Sequence, residues 1–317
     1  VVVVTYDEAD RIESCLDAVF EACRGFDPLE VVVVDSRSTD GTVALAAQYP
    51  VGVYRLPSTP DPTPGAGRYV GTACTSGEQI LFVDGDAVLE PSWLAAATDR
   101  LGDDAGIAGV DGHLNEAGPS AERSVSPLRG VVLYDRSALT SVGGFDPHLQ
   151  SLEDVELGFR LREAGYRLVR LPDVAATHPF DDGFGELRRR WERGYFHGRG
   201  QLLRKGASEP RTLVRTLYYS RLHVAIAAWL LAGVLATGSF GPVGRLAWLS
   251  ATLAATGLTL QRRGWRWTAG KAAALGPVYA GTVLGALGSH PPPSTYPLAD
   301  VEVVVPGPRT TEVGGAA

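Results

Sequence analysis

The stretch Ile80-Leu81-Phe82-Val83-Asp84-Gly85-Asp86 decides the fold. An unbroken apolar run ended by a polar turn reads as a strand buried on both faces, the kind found in parallel sheets covered by helices. Gly85, between two carboxylates, lets the chain turn tightly where the strand stops. The pattern continues upstream. Val1–Tyr6 is a β-branched run, and Ile12, Cys15, Leu16, Val19 and Cys23 recur at helical spacing. Val31–Val34 is a second strand, ended by Asp35. Thr42–Tyr49 reads as helix, Val51–Leu56 as a third strand, Ser58–Gly67 as a Pro- and Gly-rich loop, and Arg68–Thr75 as helix. Downstream, Pro91–Leu101 reads as a helix with Pro in its first turn. This alternation predicts an α/β fold, a mixed and mostly parallel sheet with helices on both faces. After Ala105 the pattern loosens, with strands expected near Ile107–Leu114 and Val131–Asp135 and a helix over Asp154–Ala164.

The chain has 317 residues, 45% of them hydrophobic and 21% charged, which excludes wholesale disorder. Three cysteines without CxxC spacing argue against a disulfide scaffold or zinc ribbon and suit a reducing compartment. Methionine is absent even at position 1, so a short N-terminal piece is expected to precede Val1. No signal peptide is visible. Charge is unevenly spread. Residues 1–187 balance at −18, residues 188–290 at +13 and residues 291–317 at −2. By charge alone the basic part would suit nucleic acid or an anionic membrane surface.

The apolar stretches Leu222–Phe240, Val243–Leu260 and Ala272–Gly288 favour the membrane, each at the short end of the roughly 17–25 residues that span a bilayer. A buried helical hairpin in a soluble domain is the other reading. The expected organisation is a catalytic domain over 1–187, a basic interfacial segment over 188–221, two to three transmembrane helices over 222–290 and a flexible tail over 291–317.

Parallel α/β sheets bind ligands at the carboxyl ends of their strands. Here three strands end in acids: Thr5-Tyr6-Asp7-Glu8, then Asp35 through Thr42, then Asp84-Gly85-Asp86. Each cluster alone can be a cap or turn, as Asp40-Gly41 looks to be. Together they crowd negative charge along one edge, which a divalent cation or donor groups on a ligand relieve. Hard oxygen ligands suit Mg²⁺ or Mn²⁺, which keep positions open for phosphate oxygens. Gly65-Ala66-Gly67 follows a proline-rich loop instead of a strand, so it is no dinucleotide fingerprint, and no P-loop occurs. Glu153, Asp154 and Glu156 open a helix, where the macrodipole favours carboxylates.

Taken in order, Thr5-Tyr6-Asp7-Glu8, Asp35-Ser36-x-Ser38-x-Asp40-Gly41-Thr42, Gly67-Arg68-x-x-Gly71, Asp84-x-Asp86, Gly143-Gly144-Phe145-Asp146, Glu153-Asp154-x-Glu156 and His178 resemble the family 2 glycosyltransferases of the GT-A fold, over roughly residues 1–200. The resemblance implies a membrane-anchored, inverting transferase that takes a sugar from a nucleotide-diphosphate donor. It implies that Thr5, Tyr6, Glu8 and Asp35 surround the base, that Arg68 sits near the nucleotide, and that Asp84 faces ribose or metal. It also implies that Asp86 ligates Mn²⁺ or Mg²⁺ with His178 as a further contact, that Asp154 is the general base, and that Glu153 lies on the acceptor side. Asp7, Ser36 and Tyr69 depart from the residues frequent in the family and leave the base and sugar open.

Arg188-Arg189-Arg190-Trp191 begins the basic stretch, either a solvated helix or an interfacial one in which Trp191 lies on the acceptor side. The expected partners are the donor, a lipid-linked or glycan acceptor and the membrane, with no nucleic acid. A nucleotidyltransferase and a non-catalytic membrane scaffold are the competing classes. Ten Lys/Arg precede Leu222, and Arg262, Arg263, Arg266 and Lys271 follow the second stretch. That bias places the catalytic domain in the cytoplasm of a multi-pass protein. Three spans would leave the tail outside; a third stretch lying on the surface would keep it inside.

Overall fold

The computed structural model describes residues 1–179 and 184–307. They form two compact units, one of residues 1–180 with 290–317 and one of residues 181–289.

The first unit carries β1 (Val2–Thr5), α1 (Ile12–Ala22), β2 (Val32–Asp35), α2 (Thr42–Ala46), β3 (Gly52–Arg55), α3 (Pro64–Ala73), β4 (Gln79–Asp84), β5 (Val88–Leu89), α4 (Pro91–Gly102), β6 (Ile107–Leu114), β7 (Arg123–Ser124), β8 (Val132–Asp135), α5 (Arg136–Ser141), α6 (Glu153–Glu163) and β9 (Arg167–Thr177). The second carries α7 (Phe184–Glu192), α8 (Gly198–Ser208), α9 (Pro210–Tyr219), α10 (Arg221–Arg263) and α11 (Trp265–Leu287), after which β10 (Glu302–Val305) belongs again to the first.

One sheet runs β10-β3-β2-β1-β4-β8-β6-β9-β5, with β7 on β9. Strands β3, β2, β1 and β4 pair in parallel, as do β6 and β9; every other pairing is antiparallel. The sheet is therefore mixed, and its second half is less parallel than the sequence suggests. Strand side chains alternate between faces. Val3, Val33, Leu81 and Val83 pack with α1 and α4, while Val2, Val4, Val32, Ile80 and Phe82 pack with α3, α5 and α6. Both faces are covered, which is why these strands read as continuous apolar runs.

Helix α3 begins earlier than its apolar spacing indicates. Pro64 takes the first helical position, and the Thr63 hydroxyl accepts from the Ala66 N–H at 2.9 Å. Its glycines serve packing. A Cβ on Gly67 would come within 2.6 Å of Val4, and one on Gly71 would collide with Val2. Two bare positions let α3 lie flat on β1, and Arg68 is thereby held above the strand ends.

The tail departs from expectation. Residues 291–307 are not loose: β10 pairs antiparallel with β3, Tyr296 and Val301 are buried in the core, and the Tyr296 ring meets Tyr69 edge-on at 5.8 Å. The β-branched run Val303-Val304-Val305 supplies an edge strand, which composition alone disguised. Residues 308–317 lie outside the described residues.

In the helical unit, α10 holds the first two apolar stretches. Among the described residues it is the one helix long and apolar enough to cross a membrane, by length and composition. The third stretch, in α11, falls short, so the two to three separate spans expected become one helix with a break. At Gly241 the backbone turns to φ 57°, ψ −138°, and Pro242 follows. The two arms fold back on each other: Trp248 Nε1 donates to the Trp229 carbonyl and Trp229 Nε1 to Thr252 Oγ1, each at 3.0 Å.

Candidate functional site

The register of the parallel strands sets Thr5 opposite Asp35 and Val4 opposite Asp84, so the expected edge of polar residues forms at one end of the sheet. The loops beyond β1 and β2 are stitched together. Asp7 N–H donates to Ser38 Oγ, Glu8 N–H to Thr42 Oγ1, and Thr39 N–H to Asp7 Oδ1, at 2.7–2.8 Å. Asp7 sits at φ 54°, a left-handed conformation that a short polar side chain tolerates.

Asp35 is fully buried. Its carboxylate accepts from the Arg37 and Ser38 N–H groups and lies 3.3 Å from Arg55 Nε, so it shapes the turn that carries the loop. Tyr6 and Glu8 lie half-buried on the first loop. Glu8 pairs with Arg11, while burial and nearby Asp86 push its carboxyl up. The Thr5 hydroxyl is buried with no hydrogen-bond partner among the described residues, and a Cβ on Gly85 would sit 2.7 Å from it. Only glycine fits between the two carboxylates because the first strand passes that close.

Asp86 and His178 are brought together by strand register. Short β5 pairs with the end of β9, Val88 opposite Thr177, and this sets His178 Nε2 3.1 Å from Asp86 Oδ1. The hydrogen bond to Asp86 raises the His178 pKa above its ordinary value. Asn115 fixes the backbone of His178 from both sides, its Oδ1 accepting from the His178 N–H at 2.7 Å and its Nδ2 donating to the carbonyl at 3.0 Å. Nothing in the spacing of the sequence points to Asn115, which reads there as an ordinary turn residue after β6.

Among the described residues no group of three or more side chains stands ready to enclose a metal ion. Asp86 and His178 offer one oxygen and one nitrogen donor. Such a partial set fits a cation that also takes substrate phosphate and water as ligands.

Arg68 spans the site. It donates to Asp84 Oδ1 at 2.8 Å and to Glu153 Oε1 at 3.0 Å, with its guanidinium 5.9 Å from the Phe145 ring centre. It thus ties the end of β4 to the start of α6. Burial pushes the Glu153 carboxyl up to about 7, against the pull of Arg68, with Asp154 adding repulsion. Burial also raises Asp154, whose Oδ1 accepts from the Val155 N–H at 2.7 Å.

Helix α6 is entered through Leu152 at φ 66°, a conformation rare for a bulky residue and one that concentrates at functional sites. Glu156 is structural. It pairs with Arg160, which also donates to the carbonyls of Val142 and Gly144 and so pins the Gly143-Gly144 loop, both glycines at positive φ. Trp191 lies in the helical unit, where it lines an open apolar groove with Leu187, Arg188, Gly276, Pro277 and Ala280.

Two family models match the chain: glycosyl transferase family 2 over residues 1–137 and glycosyl transferase family group 2 over residues 117–261. Glycosyltransferase AglE of Haloferax volcanii is 31% identical, the alignment covering 74% of this chain and 80% of that protein. The N-acetylglucosaminyl-diphospho-decaprenol L-rhamnosyltransferase of Mycobacterium tuberculosis is 29% identical over 56% of this chain and 75% of its own length. Among solved structures, the mannosyltransferase PcManGT of Pyrobaculum calidifontis, in complex with GDP-Man and Mn²⁺, is similar at a TM-score of 0.61 and 23% identity, over 90% of this chain and 86% of that one. That likeness gives the fold, and the sequence relatives give the family. With acidic strand ends bound through Arg68 to a helix headed by two raised carboxyls, the chain belongs to the family 2 glycosyltransferases and is an enzyme that transfers sugar from a nucleotide donor.

Proposed function

We propose that this enzyme transfers the sugar with inversion to a lipid-linked or cell-surface glycan acceptor at the cytoplasmic face of the membrane. Arg68 carries the reading, because it joins Asp84 on the strand edge to Glu153 beside Asp154. Donor-side and acceptor-side carboxylates are thereby one guanidinium apart.

Thr5, Tyr6, Glu8 and the turn built on Asp35 receive the base, and the unpartnered Thr5 hydroxyl is available to it. Asp84, oriented by Arg68, faces the ribose. Asp86 and His178 hold Mn²⁺ or Mg²⁺, which when bound stabilises the charge that develops on the departing diphosphate. Asp154, its pKa raised by burial, takes the proton of the acceptor hydroxyl as that oxygen attacks the anomeric carbon. One displacement inverts the centre, so no second nucleophile is needed. Glu153 keeps Arg68 in place on the acceptor side.

The membrane reading rests on α10. Its large apolar side chains, Leu231, Val234, Leu235, Phe240 and Leu253 among them, are exposed, which water disfavours and lipid accepts. Each arm, Arg221–Phe240 and Pro242–Arg263, is about 30 Å long, the thickness of the hydrocarbon core. Residues on both sides of the helical unit in the chain belong to the catalytic unit, so an even number of crossings is required. A hairpin meets that condition, with α11 at the surface, basic α7–α9 interfacial, and the open apolar groove at Trp191 placed to meet the hydrocarbon of a lipid acceptor.

The test incubates the purified full chain with GDP-, UDP- and dTDP-sugars, Mn²⁺ or Mg²⁺, and polyprenyl-phosphate or polyprenyl-diphosphate-sugar acceptors beside soluble sugars. The proposal expects a lipid-extractable glycosylated product of inverted configuration. Transfer only to soluble acceptors, or retained configuration, would overturn it.

A further inference from the structure

The helical unit holds a cation that none of its described acids neutralises. Arg199, near the start of α8, is half-buried, and its one hydrogen bond among the described residues runs from Nε to Ser220 Oγ at 3.0 Å. The terminal guanidinium nitrogens meet no protein acceptor there. The described acids of this unit are engaged elsewhere: Glu186 with Arg189 and Arg190, Glu192 with Arg188, and Glu209 with Thr212.

Tyr195, Tyr219, Tyr279 and His223 are within electrostatic reach of Arg199, and none of them carries an opposing charge that neutralises it at neutral pH. Tyr279 spends its hydroxyl proton on the His223 carbonyl at 2.7 Å.

The face of α9 toward this place is hydroxylic. Thr212, Thr216 and Ser220 recur every fourth residue and are all buried, and Thr216 Oγ1 has no hydrogen-bond partner among the described residues. The packing that forces Arg199 inward is tight: a Cβ on neighbouring Gly200 would collide with the Thr282 carbonyl of α11. Burial lowers the Arg199 pKa, the mark of a charge held out of water without an opposite charge.

We propose that Arg199, with the Ser220 hydroxyl beside it and the Thr216 hydroxyl one turn away on the same helix face, binds a phosphate group. A guanidinium with two open donors beside short hydroxyls matches the tetrahedral oxygens of phosphate. The phosphate is that of an anionic lipid headgroup or of a free phosphoryl ligand. The site lies wholly within α8–α11 and does not depend on the acceptor being lipid-linked.

The experiment measures thermal unfolding of the full chain in dodecyl maltoside. Additions are mixed micelles with phosphatidylglycerol, mixed micelles with phosphatidylcholine, or millimolar inorganic phosphate. Phosphatidylglycerol is expected to raise the Tm of wild type by several degrees over phosphatidylcholine. Arg199→Gln should lose most of that increment, Arg199→Lys should keep part of it, and Arg262→Gln, a charge control, should keep it all. An equal rise with inorganic phosphate, lost in the same variant, assigns the site to a free phosphoryl ligand. Should Arg199→Gln fail to fold, as judged by nucleotide-sugar hydrolysis, Thr216→Val and Ser220→Ala serve in its place, each reducing the increment. The proposal fails if wild type shows no increment with either addition, or if Arg262→Gln loses as much as the site variants.

Discussion

His290 and Asp146 are 144 positions apart in the chain, yet His290 Nε2 stands 2.9 Å from Asp146 Oδ2. Asp146 is fully buried at the end of the Gly143-Gly144-Phe145 loop that leads to α6, and its other oxygen accepts from the His148 N–H. A Cβ on Gly65 of α3 would meet the Asp146 carbonyl at 2.5 Å. The returning C-terminal segment therefore fastens the loop against which the Arg68 helix is packed.

His290→Ala is expected to destabilise the catalytic unit by about 1–3 kcal/mol, the cost of removing one hydrogen bond from a buried carboxylate. Thermal denaturation of the full chain measures it. An unchanged Tm would mean that the contact only follows the fold.

Gly85→Ala should cut transfer at least about tenfold while the chain stays folded. The added methyl must displace Thr5 at the point where β1 ends, and overpacking of this sort costs about 1–3 kcal/mol. Circular dichroism and donor KM distinguish the effects: a normal KM would show that Thr5 does not touch the donor.

Asp154→Asn should lower kcat by about 10²–10⁴-fold with nucleotide binding kept, since shape survives and the proton acceptor does not. The wild-type rate should climb with pH through a midpoint above the ordinary carboxylate range, because burial raises both Glu153 and Asp154 and a base must be unprotonated. A rate that is flat from about pH 5 to about pH 8 is incompatible with this assignment.

Stability runs the other way. An acid whose pKa is higher in the folded chain holds its proton more tightly there, so the stability it contributes is present at low pH. That contribution is lost as pH rises from the ordinary 4.5 toward about 7 for Glu153. Glu153→Gln removes this dependence. Its Tm should therefore improve relative to wild type between those two values, and a Tm difference that ignores pH would count against a protonated Glu153.

Asp86→Asn should abolish metal-stimulated transfer and leave the fold intact, and EDTA should do the same to wild type. Asn115→Ala should raise the Mn²⁺ or Mg²⁺ concentration needed for half-maximal rate, because His178 loses both clamps on its backbone. Full activity of either protein in EDTA would end the metal assignment.

Much of this protein is set by its sequence alone. Runs such as Ile80–Val83 and Val31–Val34 fix strands buried on both faces, Pro91 starts a helix, and Asp84 and Asp35 end strands, because side-chain period and turn chemistry act over a few residues. Those same local rules placed Thr5, Asp35 and Asp84 on one edge. What they cannot carry is register and return. Asp86 meets His178 only because two-residue β5 pairs with the end of β9, and Arg68 reaches Glu153 only because glycines let α3 lie on β1. The tail read as flexible because Pro291–Pro293 and a Gly-rich end dominate its composition, while the edge of β3 that receives Val303 lies some 250 positions away. Closing a loop of that length costs only about 3 kcal/mol more than closing one of a few residues, which the paired and buried segment can offset, so only the assembled sheet with its open edge decides where the strand goes.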